Sequence, residues 1–109
     1  MATGSKAARK GSNPNNTFDV IFAGTNQKVT TTGTSAQSTA VGSATTIVRL
    51  YASQNMYIQI SSNPTAAVAS STYLPTGIVE YFGITPGDKI AAIQDTTTGT
   101  LFITEGASS

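Results

Sequence analysis

Short stretches in which apolar and polar residues alternate recur along the chain, and they predict β-strands. A period of two places every second side chain on the same face of a strand, so that one face is buried and the other faces solvent. Four stretches with strand character are residues 18–22, 27–32, 37–41 and 78–84. The pattern therefore favours an all-β protein.

A hairpin is predicted in the middle of the chain, with residues 53–55 as its three-residue loop. Its register pairs apolar residues on one face, as Ala52 with Met56, Leu50 with Ile58 and Val48 with Ile60. On the other face, Tyr51 stands opposite Tyr57 and Arg49 stands opposite Gln59. A shift of one residue would destroy both faces, so the pattern favours this pairing.

A second hairpin is predicted near the end of the chain, around a loop at residues 95–99. Its register pairs Ile93 with Leu101, Ala91 with Ile103 and Lys89 with Glu105. One face of this hairpin is then apolar, and it ends in an ion pair between Lys89 and Glu105.

Turn sequences separate the strands at short intervals along residues 17–109. They lie at residues 63–64, 74–77 and 85–88. Their spacing predicts about seven or eight short strands. We therefore expect a single small antiparallel β-sandwich or barrel.

Residues 1–16 differ from the rest of the chain and predict an extended N-terminal arm. They are small and polar and show no periodicity. Three of the six cations lie here, at Lys6, Arg9 and Lys10. The rest of the chain has three cations and all five carboxylates, so its net charge is −2. The three arm cations, together with Asn15, are candidate contacts with a partner.

The composition supports the β assignment and excludes several kinds of chemistry. The 109 residues include 19 Thr and 12 Ser, which suit half-exposed strands better than helices. Because there is neither Cys nor His, disulfides, thiol catalysis, the usual zinc sites and imidazole bases are excluded. The basic residues are followed by a polar stretch instead of a signal-peptide core, so we expect a soluble protein made in a cytoplasm.

Four carboxylates are candidate catalytic groups: Glu80, Asp88, Asp95 and Glu105. Two of them could form an acid–base pair if they converged across a cleft, but nothing in the sequence places two together. Phosphate-binding loops and a run of alternating acidic metal ligands are also absent from the sequence. We therefore expect no enzyme activity, no cofactor and no metal.

Aromatic residues give the remaining candidate binding surface. The four tyrosines are Tyr51, Tyr57, Tyr73 and Tyr81. They either stack against a sugar or a protein partner, or cap the core with their hydroxyl groups in water. Tyr51 and Tyr57, adjacent in the predicted hairpin, are the candidate partner-binding pair. Nucleic acid is not the expected partner, because three arm cations give only a weak counterion effect.

Several segments between about residues 45 and 105 resemble small virion proteins of tailed bacteriophages. The segments are Ser62-Asn63-Pro64-Thr65-Ala66, Tyr73-Leu74-Pro75, residues 79–93 (VEYFGITPGDKIAAI) and residues 99–105 (GTLFITE). The resemblance rests on turns and strand cores, and it includes no catalytic or ligand motif.

The resemblance implies a structural role on the capsid surface of a virion. Proteins of this kind commonly decorate or cement the head shell, often as trimers, with a compact β domain and an extended arm laid over neighbouring subunits. We therefore expect a homotrimer that binds the major capsid protein and needs no membrane. Two alternatives stay open, a carbohydrate-binding adhesin of a tail or fibre and a head-to-tail adaptor.

Overall fold

The computed structural model describes residues 20–21 and 24–108, and these form nine strands and no helix. The strands are β1 (Val20–Ile21), β2 (Asn26–Thr30), β3 (Ala36–Gln37), β4 (Ile47–Ala52), β5 (Met56–Ser61), β6 (Thr72–Leu74), β7 (Val79–Gly83), β8 (Lys89–Gln94) and β9 (Thr100–Ser108). Strands β1 and β3 have only two residues each, and counting them raises the number of strands above the expected seven or eight. In this part of the chain no helix is long and apolar enough to cross a membrane. The predicted arm of residues 1–16 lies outside the described residues.

The strands form two antiparallel sheets, and the predicted all-β sandwich is confirmed. In the five-stranded sheet, β9 pairs with β1 and β2 on one side and with β4 on the other, and β7 pairs with β4 at the far edge. The four-stranded sheet has the order β3-β8-β5-β6. Every pair is antiparallel.

The two predicted hairpins were wrong, because in each case the chain crosses from one sheet to the other. Strand β4 pairs with β7 and β9, whereas β5 pairs with β6 and β8. Strands β8 and β9 likewise belong to different sheets. Among the described strands, β5 and β6 are the only consecutive two that pair with each other.

The predicted ion pair between Lys89 and Glu105 was wrong for the same reason. Lys89 stands opposite Ser61 in the four-stranded sheet, and Glu105 stands opposite Val48 in the five-stranded sheet. The Glu105 carboxylate instead accepts hydrogen bonds from a loop and from β2.

The core lies between the two sheets and contains most of the residues that alternation assigned to the inner face. Both sheets contribute large side chains that are almost fully buried: Val48, Leu50, Leu101 and Ile103 from one, and Met56, Ile58, Leu74 and Ile90 from the other. Periodicity identified the inner faces of β4, β5 and β9 correctly while leaving the hydrogen-bonded partners undetermined. In β8 the predicted inner face was wrong: the hairpin register assigned Ala91 and Ile93 to it, whereas Ile90 and Ala92 face the core.

A tight contact joins the crossing loops at one end of the sandwich. The Thr31 hydroxyl is buried and accepts a hydrogen bond from the Gly99 N–H at 2.9 Å, while the Thr31 N–H donates to the Gly99 carbonyl at 2.9 Å. A Cβ at position 99 would lie 2.7 Å from Cβ of Gln54. Only glycine fits there without a shift of the neighbouring loop.

Replacing Leu50 by alanine should destabilise the fold strongly, because Leu50 is fully buried between the sheets. Loss of its side chain leaves a cavity and should lower the free energy of unfolding by about 2–5 kcal/mol. Val68→Ala is the control, since Val68 is 46% exposed, and it should cost less than about 0.5 kcal/mol. Chemical denaturation of both variants measures the difference, and similar values for the two would contradict the assigned core.

Candidate functional site

The outer face of the five-stranded sheet presents two rows of side chains that the register fixes. Residues 49 and 51 of β4 alternate with the buried residues of the same strand, so they point away from the core. In one row, Phe102 stands between Lys28 and Tyr51. In the next row, Thr104 stands between Asn26 and Arg49.

These six residues line an open groove of about 560 Å³, which we call the outer groove. The rings of Tyr51 and Phe102 are tilted by 52° with their centroids 6.1 Å apart. The Lys28 ammonium nitrogen lies over the Phe102 ring, 5.5 Å from its centroid, which is within cation–π range. An apolar, aromatic floor therefore lies beside two positive charges.

A polar contact orders the second row. The Thr104 hydroxyl donates a hydrogen bond to Oδ1 of Asn26 at 2.9 Å. This bond directs the Asn26 amide oxygen toward Thr104 and leaves its NH₂ group without a partner among the described residues. The row thus presents hydrogen-bond donors, and Arg49 adds five more.

The outer groove is positive although residues 24–107 carry more carboxylates than cations. This range contains three cations, Lys28, Arg49 and Lys89, and four carboxylates, so its net charge is −1. None of the four lies on the outer face of the five-stranded sheet. Glu80 stands opposite Leu50, and Glu105 stands opposite Val48, so both point inward.

The other two carboxylates belong to the four-stranded half of the molecule. Asp88 immediately precedes β8, and Asp95 immediately follows it. The six residues of β8 lie between them, so extended chain separates their Cα atoms by about 23 Å. Charge is therefore segregated: two of the three cations of the described residues lie on the outer face of the five-stranded sheet, and none of their four carboxylates does.

Glu105 holds a loop against the other end of the sandwich. Its side chain is only 5% exposed. Oε1 accepts hydrogen bonds from the Gly42 N–H at 2.9 Å and from the Thr45 hydroxyl at 2.8 Å, and Oε2 accepts one from Nε2 of Gln27 at 3.1 Å. Because a carboxylate satisfied in this way ties three segments together, we assign Glu105 a structural role.

The structure does not bring the predicted tyrosine pair together. Tyr51 lies on the outer face of the five-stranded sheet, and Tyr57 lies on the outer face of the other sheet. The expectation that they are adjacent was wrong, because β4 and β5 do not pair. Tyr57 instead contacts Tyr73, with ring centroids 5.2 Å apart. The other predicted contacts, Lys6, Arg9, Lys10 and Asn15, lie outside the described residues.

Sequence reasoning missed the residues that join Tyr51 in the outer groove. The predicted register pairs Arg49 with Gln59, and neither Lys28 nor Phe102 is among the candidate residues of the sequence analysis. Their convergence depends on the pairing of β9 with both β2 and β4, which are far from it in sequence. The signal in the sequence was that each of these residues occupies a solvent-facing position in a strand with alternating buried and exposed residues.

The described residues contain no group of three potential metal ligands among Asp, Glu, His and Cys. Comparison with known proteins found no family model that matches the chain, and neither curated proteins nor solved structures gave a significant match. Any functional inference therefore rests on the geometry of the described residues and on the sequence.

The folded state should lose stability when Glu105 is protonated. Burial raises the pKa of this carboxyl, but the hydrogen bonds from Gly42, Thr45 and Gln27 favour the carboxylate and leave the pKa below its ordinary value of 4.5. A lowered pKa means that the carboxylate stabilises the fold above that ordinary value. The stabilisation disappears as the pH falls through the pKa of the folded state.

Glu105→Gln should therefore lower the free energy of unfolding by about 1–3 kcal/mol at neutral pH, because its NH₂ group cannot replace an acceptor. The difference from wild type should shrink as the pH falls below 4.5 and through the lowered pKa of the folded state. Thr45→Val should cost about 1 kcal/mol. The same replacement at the exposed Thr30 is the control. Denaturation at several pH values measures these effects, and a pH-independent difference for Glu105→Gln would contradict the assignment.

Proposed function

We propose that this protein is a structural virion protein that decorates or cements a bacteriophage capsid by binding the major capsid protein. The observation that carries the proposal is the outer groove, an open face with aromatic side chains and two cations. A shallow groove of this kind suits docking to a macromolecular surface, where aromatic residues and arginine contribute most to affinity. The sequence resemblance to virion proteins supplies the kind of partner.

The position of the first described strand supports a role for the N-terminal arm in the same contact. Val20 pairs with Ser108 at the end of β9, in the sheet that carries the outer groove. The chain before Val20 therefore joins the domain at an edge of this sheet. An arm that becomes ordered on binding adds contact area, and repeated copies on a shell offset its entropy cost through avidity.

The proposal includes a non-catalytic role, a homotrimeric assembly and a location on the capsid surface. Its support is the absence of cysteine and histidine from the whole sequence, and the separate placement of the four carboxylates of residues 24–107. The trimer follows only from the resemblance. A head-to-tail adaptor would form a ring whose copy number native mass spectrometry would reveal.

A carbohydrate-binding adhesin is the second candidate. Tyr51 and Phe102 form an aromatic floor beside the polar groups of Asn26 and Thr104, a combination that can hold a sugar ring. The form of this hypothesis that required adjacent Tyr51 and Tyr57 is wrong. The tilt between the two rings leaves no flat platform, so the capsid role is favoured.

Full-length protein should sediment with mature heads of the phage that encodes it, in a saturable manner at micromolar concentration or below. Removal of residues 1–16 should weaken the affinity by about tenfold or more, because the arm contributes a linked contact. Quantitative co-sedimentation with purified heads, and separately with tails, measures both effects.

Val68→Ala serves as the control, since Val68 is exposed and lies outside the outer groove, and it should bind like wild type. Binding to tails alone, or to neither particle, would overturn the capsid role. In that case a specific hit on a glycan array would establish the adhesin instead.

A further inference from the structure

We propose that the outer groove binds an extended acidic segment of the partner, with two carboxylate side chains four residues apart and an apolar side chain between them. The inference rests on the proposed function, since the partner is taken to be a protein shell. It goes further in naming the chemistry that the groove recognises.

The charge distribution argues for an anionic ligand. Lys28 and Arg49 both lie on this face, and none of the four carboxylates of residues 24–107 lies there with them. A guanidinium matches the geometry of a carboxylate and can donate two parallel hydrogen bonds to it. A bound carboxylate would meet no like charge on this sheet face.

The spacing of the two cations argues for two carboxylates on an extended chain. Lys28 and Arg49 are on strands that flank β9, and they are offset by two residues along it. Ideal sheet spacings place their Cα atoms about 12 Å apart. Alternate residues of an extended segment point to the same side, and residues i and i+4 are about 13 Å apart. An apolar residue at i+2 would then lie over β9, between Phe102 and Thr104 and beside the Phe102 ring.

Other occupants of the groove fit less well. The arm of residues 1–16 carries Lys6, Arg9 and Lys10 and no carboxylate, so the two cations of the groove would repel it. In a second copy of the chain, Asp88 and Asp95 are held about 23 Å apart by β8 and cannot reach both cations at once.

Single-stranded nucleic acid also fits poorly. Lys28 covers one face of the Phe102 ring, and the neighbouring ring of Tyr51 is tilted against it by 52°. A base would need an open ring face to stack on. Two cations also give only a small counterion effect.

The neighbouring sheet edge is not the docking element. Strand β7 forms this edge, and its second residue, Glu80, points inward, opposite Leu50. An inward-pointing charge on an edge strand opposes the addition of another strand. A partner strand therefore does not extend the sheet at β7, and the proposed segment lies across the sheet face.

Charge reversal in the groove tests this inference in the full-length protein. Lys28→Glu and Arg49→Glu should each weaken binding to phage heads by about tenfold or more, because each places like charges in contact. Lys89→Glu is the matched control, since it reverses a cation on the other sheet, and it should change the affinity less than about threefold. Circular dichroism and thermal unfolding of each variant establish that it is folded.

A peptide titration tests the groove without the capsid. The probe is the peptide Ser-Glu-Thr-Leu-Thr-Glu-Ser, and its control has Gln at both Glu positions. We expect the acidic peptide alone to shift the amide resonances of residues 26–28, 49–51 and 102–104 in an NMR spectrum, and added salt to weaken the effect.

The outcomes separate the inference from the proposed function. If Lys28→Glu and Arg49→Glu both bind heads with wild-type affinity, the inference of an acidic segment is overturned, but the capsid role is not. If wild-type protein does not bind heads, the capsid role fails, and the peptide titration alone decides the groove. If oligo-dT or an oligogalacturonate shifts these amide resonances and the acidic peptide does not, the inference is overturned in favour of a nucleic acid or a sugar ligand. Loss of self-association in the groove variants would assign the groove to a second copy.

Discussion

The pairing of β4 with β9 is the interaction on which the rest of the structure depends. Six consecutive residues of β4 are in register with six residues of β9, although about fifty residues separate the strands in sequence. On the inner side, this pairing places Leu50 beside Ile103 and so builds half of the core. On the outer side, it places Tyr51 beside Phe102 and Arg49 beside Thr104, which creates the outer groove. A single register therefore determines both the stability of the fold and its candidate binding face.

Different hydrogen-bond networks hold the two ends of the sandwich. At one end, Thr31 and Gly99 exchange hydrogen bonds, and the backbone at position 99 approaches Gln54 too closely for any side chain. At the other end, the Glu105 carboxylate holds the loop at Gly42 and Thr45. Because consecutive strands mostly lie in different sheets, the loops between them must cross the open ends. The buried polar groups at the ends form hydrogen bonds with the backbone of those loops, which would otherwise need water molecules as partners.

Segregation of a few charges gives the molecule one distinctive face. Only 10% of the residues are charged, so each charge has a large effect on the local potential. Carboxylates occupy turns, a buried network and an inward-facing edge position. Lys28 and Arg49 are left with aromatic neighbours on an otherwise uncharged sheet face. This arrangement supports a recognition surface for anions on a protein whose described residues show no metal-ligand cluster.

The sequence by itself determined the all-β class, an antiparallel sandwich or barrel, and the inner-facing residues of β4, β5 and β9, because alternation directly reports which side of a strand is buried. Leu50, Met56, Ile58, Leu101 and Ile103 were placed correctly in this way. Only the tertiary structure decided which strands share hydrogen bonds. A hairpin and a crossing between sheets are both compatible with alternation along each strand, so periodicity cannot distinguish them. The assumed hairpin therefore placed Ala91 and Ile93 of β8 on the inner face, where Ile90 and Ala92 lie. For this reason Tyr51 was matched with Tyr57 instead of Phe102, and Glu105 with Lys89 instead of Gly42 and Thr45. The outer groove could not be foreseen for the same reason, since its residues meet only through pairings between strands distant in sequence.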